Sequence, residues 1–110
     1  MIHAVIYQNK RKEYRGFKLS GHAGYAKHGQ DIVCAAASVL VINTINAIER
    51  FTDDAFSLSS EEESGVISCQ FKDTPSKEAG LLLRTMILGL SDMADDENYE
   101  KYIDLTFKEV

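Results

Sequence analysis

The stretch "GHAGYAKHGQDIVCAA", residues 21–36, holds two side chains able to do chemistry together: His22 and, with eleven residues between, Cys34. A thiol with a free pKa of roughly 8.5 is only about 3% ionised at pH 7, and the thiolate is the reactive form. A nearby imidazole that takes the proton raises the reactivity, and a helix N-terminus favours the negative charge. The chemistry this pair suits is acyl transfer. The thiolate attacks a carbonyl, backbone amides at a helix start stabilise the oxyanion, and the imidazole returns its proton to the leaving group. Asp31 fits the N-cap of the helix that follows, which would put Cys34 at the third helical position. Asp31 has a second possible role, orienting His22 as a third member of the site, and a cost, since a carboxylate close to Cys34 opposes ionisation. Ser38 lies one turn beyond Cys34 on the same face and is able to donate to a thiolate. The loop that holds Gly21, Gly24 and Gly29 is free enough in its backbone to fold His22 back over Cys34.

On chemistry alone these residues keep simpler readings. Free cysteine is among the most buried residue types, so Cys34 between Val33 and Ala35 also reads as core. His22 also reads as a strand-end residue, Asp31 as a cap and nothing more, Ser38 as a small helical residue, and the glycines as turn formers. His22, His28 and Cys34 supply three metal-binding side chains, but no fourth ligand stands at structural-zinc spacing, so no metal is expected. No phosphate-cradling or dinucleotide-binding glycine motif appears, and no cofactor is expected. Cys69 alternates within "VISCQF" and reads as core, and without a CxxC pair a dithiol mechanism is disfavoured.

The elements that must position His22 and Cys34 follow from periodicity. "IHAVIYQ" is rich in β-branched and aromatic residues and predicts a strand. "YRGFKLSG" alternates, with Phe17 and Leu19 on one face, and completes a hairpin. A helix is expected over Ile32–Phe51, with apolar residues on both sides, so that it is buried on several faces or carries a subunit interface. A short strand at about 55–58, an acidic turn "SSEEESG" and a strand at 66–71 come next. Pro75 opens a second helix at about 76–95, and "YIDLTFKEV" alternates as a last strand. The order ββαββαβ predicts an α+β two-layer sandwich with a mixed or largely antiparallel sheet packed by two helices.

The chain has 110 residues, which suits a single domain spanning residues 1–110. Its formal net charge of −5 argues against direct nucleic-acid binding and against an anionic membrane surface. The apolar run at 32–42 is short for a bilayer span and includes Ser38, so no membrane association is expected. The two cysteines do not make a disulfide scaffold, and the opening "MIHAVIYQNKRKEY" does not read as a signal peptide. A cytoplasmic protein with reduced thiols is the expectation.

Gly21-His22-Ala23, seven residues, then Asp31-Ile32-Val33-Cys34-Ala35-Ala36-Ala37-Ser38 matches the pattern G-H-A-x7-D-x-V-C-A-A-x-S. The chain thereby resembles the ribosomal-processing cysteine protease family Prp. The resemblance implies a cysteine endopeptidase with His22 and Cys34 as its catalytic pair. It also implies a homodimer, a mobile substrate loop between the pair, and a substrate: the precursor of large-subunit ribosomal protein 27, whose N-terminal extension is removed. The alternative is a ribosome-assembly-associated binding protein in which Cys34 only packs. A redox-responsive thiol protein is a third reading.

Overall fold

The computed structural model describes residues 1–21, 28–61 and 63–110. Seven elements follow one another: β1 (Ile2–Gln8), β2 (Tyr14–Ser20), α1 (His28–Phe51), β3 (Phe56–Glu61), β4 (Val66–Phe71), α2 (Lys77–Asp95) and β5 (Ile103–Glu109). The order is the ββαββαβ expected from the sequence. Asn9 organises the turn between β1 and β2. Its side-chain oxygen accepts from the backbone N–H groups of Arg11, at 2.9 Å, and Glu13, at 3.0 Å.

The strands form one sheet in the order β3-β4-β2-β1-β5. Every neighbouring pair is antiparallel except β1 with β5, which is parallel. The register gathers the alternating apolar residues onto one face. Ile6 stands opposite Phe17, Phe17 opposite Cys69, and Cys69 opposite Leu58. One row nearer the other end, Ala4, Leu19, Ile67 and Ser60 line up in the same way.

Both helices cover that face. On α1 the side chains of Val33, Ala37, Val41, Ile45 and Ile48 form a buried stripe at helical spacing. Burying a large aliphatic side chain is worth about 1.5–3 kcal/mol, so this stripe, more than intrinsic propensity, fixes the helix. Thr44 is buried within the stripe and donates its hydroxyl to the carbonyl of Leu40 at 2.7 Å, so no polar group is orphaned there. On α2 the buried set is Ala79, Leu83, Met86, Ile87 and Leu90. The helices meet where Leu40 fills the space above Gly89. A Cβ at that glycine would stand 2.6 Å from a Leu40 methyl carbon.

Two boundaries differ from the sequence expectation. Helix α1 starts at His28, not at Ile32, so Gly29 and Asp31 lie inside the helix and not in a loop or at its cap. Extending an existing helix by one turn costs far less than nucleating one, so weak helix formers such as Gly and Asp are carried along. Strand β3 runs on through Glu61 and takes up the first part of the expected acidic turn. Its pairing with β4 continues at Ser59–Ser68, Ser60–Ile67 and Glu61–Val66, and a backbone ladder forms whatever the side chains are.

The stretch Ile32–Phe51 is, by length and composition, long and apolar enough to cross a bilayer. In the fold its apolar stripe is spent on the core, while Asn43, Asn46, Glu49 and Arg50 line an open groove on its outer side. That division is the pattern of a core helix.

Candidate active site

One end of the sheet and the first half of α1 enclose a cavity of about 340 Å³. Helix α1 contributes Cys34, Ser38 and Ile42, which stand four residues apart and so lie on one face. The opposite wall comes from strand ends: Ile2 at the start of β1, Leu19 near the end of β2 and Gly21 just beyond it, Ser60 near the end of β3, and Val66 and Ile67 opening β4. The lining is mostly aliphatic. Among the described residues, four side-chain groups interrupt it: the Cys34 thiol, the hydroxyls of Ser38 and Ser60, and the carboxylate of Glu61. Glu61 is the one charged residue among the described lining residues.

The backbone brings β2 to this cavity by an unusual conformation. Gly21 has φ of +112°, and a Cβ there would collide with the carbonyl oxygen of Met1. Only glycine fits both demands. The chain therefore leaves β2 at the cavity wall, one residue before His22.

The two thiols sit in opposite environments. Cys34 is partly exposed and packs at the border of the core while lining the cavity. Cys69 is fully buried between Phe17 and Leu58 in the sheet, and burial pushes its thiol up to about 11. Cys69 is core, as its alternation predicts.

Of the residues that the sequence singles out, the structure brings Gly21, Cys34 and Ser38 to one cavity. His22 and Gly24 lie outside the described residues. Gly29 and Asp31 belong to α1, and the N-cap expectation for Asp31 is corrected. So is the expectation that Cys34 occupies the first turn. With α1 starting at His28, Cys34 lies nearly two turns in. The free N–H groups of a helix belong to its first four residues, and the favourable field decays within that first turn. The amide of Cys34 itself is thus inside the helical ladder.

Sequence reasoning missed Ile42 and the strand-end residues. Ile42 was within reach, since it continues the Cys34–Ser38 spacing. Ser60, Val66 and Ile67 were not. They join the site because β4 pairs with β2, a neighbour relation that skips β3.

The comparisons with known proteins agree with this geometry. The family model described as cysteine protease Prp matches residues 1–104. The ribosomal processing cysteine protease Prp of Staphylococcus aureus (strain Mu50) is 32% identical over 108 residues, which cover 98% of this chain and 100% of that one. A crystal structure of the Prp protease from S. aureus with a substrate peptide superposes with a TM-score of 0.90, at 30% identity, over 98% of this chain and 100% of that one. A second structure of that enzyme, with a covalently linked product peptide, gives 0.85 at 31% identity with the same coverage. The class is therefore that of a cysteine protease, with an open mixed sheet packed by two helices. Within that class, the chain belongs to the Prp family.

Proposed function

We propose that this protein is the cytoplasmic endopeptidase that trims the N-terminal extension of ribosomal protein 27, with Cys34 as nucleophile and His22 as its base. The carrying observation is the position of Cys34. It is the thiol of a cysteine-protease chain that reaches a mostly aliphatic cavity, while Cys69 is sealed in the sheet. The substrate class follows the relatives, which are described as ribosomal processing proteases.

In this mechanism His22 takes the Cys34 proton, and the thiolate attacks the scissile carbonyl to form a tetrahedral oxyanion. His22 then protonates the leaving amine, and water releases the acyl group from sulfur. Ser38, one turn from Cys34 on the cavity wall, donates its hydroxyl to the charge that develops beside it. The helix start contributes less than the sequence suggests, because Cys34 lies beyond the first turn.

The test is cleavage of an N-terminally extended ribosomal protein 27. Cys34→Ala and His22→Ala should each lower kcat by at least about 10³-fold while the circular dichroism spectrum stays native. Full activity in Cys34→Ala would refute the assignment. Stoichiometric binding by the wild type without turnover would favour the assembly-binding alternative.

A further inference from the structure

Strand β3 is one edge of the sheet, and among the described residues it pairs with β4 alone. An edge strand presents a row of unpaired N–H and C=O groups, and proteins usually blunt it with lysine, proline or a bulge. β3 has none of these. Its sequence is "FSLSSE", its pairing with β4 is regular over six residues, and five of the six are exposed. Leu58 is half exposed although its register places it on the helix-covered face of the sheet. The last two residues of the strand, Ser60 and Glu61, line the cavity that holds Cys34.

We infer that β3 is the docking strand for the substrate: the extended segment of the cleaved protein adds to the free edge of β3 and is led by it into the Cys34 cavity. An added strand supplies affinity through main-chain hydrogen bonds, largely independent of side chains. The occupant is a peptide because the edge runs without a break into the site of peptide cleavage. The other edge, β5, does not compete for this role. It lies beyond β1, on the far side of the sheet from β3, and contributes no residue to the cavity. The paired strand also sets the register, since each two-residue step along β3 moves the bound segment by one pleat relative to the thiol.

The inference rests on Cys34 being the nucleophile, and the experiment separates the two. A substrate peptide is N-methylated one residue at a time, at positions at least two residues from the scissile bond, and kcat/KM is measured with the wild-type enzyme. Strand addition requires losses of about tenfold at alternate residues, the worth of one or two hydrogen bonds, with the residues between changed less than about twofold. In parallel, amide hydrogen exchange of Cys34→Ala is compared with and without the unmodified peptide. Peptide-dependent protection at alternate amides within β3 is the expected result. Tolerance of methylation throughout, or protection confined to β5 or to the outer helix faces, would overturn the docking strand. Continued cleavage by Cys34→Ala would instead overturn the nucleophile, with the methylation pattern in the wild type still deciding the role of β3.

Discussion

At the scale of single residues, chemical type alone does not separate Cys34 from Cys69; environment does. At pH 8 a thiol titrating near 11 is ionised to about 0.1%, so the buried Cys69 is shielded twice, by access and by charge. Native protein treated with iodoacetamide should therefore take up one equivalent at Cys34, as read by mass spectrometry of its peptides. The second equivalent should follow only on denaturation. Equal rates at both cysteines would contradict the packing described. Gly21 offers a backbone test of the same site. With φ at +112° and the Met1 carbonyl in the way of any Cβ, Gly21→Ala should lower stability by about 1–3 kcal/mol. Because Gly21 lines the cavity and immediately precedes His22, cleavage should fall by more than the loss of folded protein accounts for. A thermal melt and a kcat/KM measurement on the same sample decide both points.

At the scale of elements, α2 shows how a helix start is secured and how that makes the fold acid-sensitive. Ser76 caps α2 by accepting from the N–H of Ala79 at 3.1 Å. Asp54, in the segment after α1, accepts both the Ser76 hydroxyl, at 2.5 Å, and the Ser76 N–H, at 2.7 Å. Burial by itself raises the Asp54 carboxyl, but the hydrogen bonds from Ser76 and Thr52 outweigh it and hold the group below its ordinary 3.8. A carboxyl lowered on folding stabilises the native state above its unfolded pKa, and that contribution is lost as pH falls through the folded value. Asp54→Asn should therefore be less stable than wild type at pH 7, with the gap closing below about pH 4; urea melts across pH check the sign. Ser76→Ala should cost about 1 kcal/mol through the lost cap. Helix α1 shows the opposite case. It starts a turn before the point the Asp31 cap signal predicts, because that signal is a local preference, while the Val33-to-Ile48 stripe that secures the helix is tertiary.

At the scale of the whole molecule, the outer faces of the helices raise the question of assembly. Val39 on α1 and Leu88 on α2 are 67% and 62% exposed, and Ala35, Ala36, Leu40 and Met93 line a shallow groove beside Gly89. The homodimer proposed from the family resemblance has here an apolar surface to use. Val39→Glu should convert a dimer to a monomer on a sizing column and remove any rise of Tm with protein concentration. A wild-type monomer at micromolar concentration would refute that proposal.

The sequence by itself determined the element order, because alternation and helical spacing record which side of each element faces the core. It also determined the family, because Gly21-His22-Ala23 and the Asp31-to-Ser38 run carry side chains whose spacing along the chain is itself the signal. Cys69 as core followed from its place in an alternating strand. Only the tertiary structure decided what surrounds Cys34. Strand neighbours are set by long-range packing and not by chain order, so the pairing of β4 with β2 brings Ser60, Val66 and Ile67 to the thiol from positions far along the chain. The tertiary structure likewise moved the start of α1 to His28 and, among the described residues, left β3 paired with β4 alone beside the cavity. A local signal fixes what a residue is able to do, and the packing of distant segments fixes what it is next to.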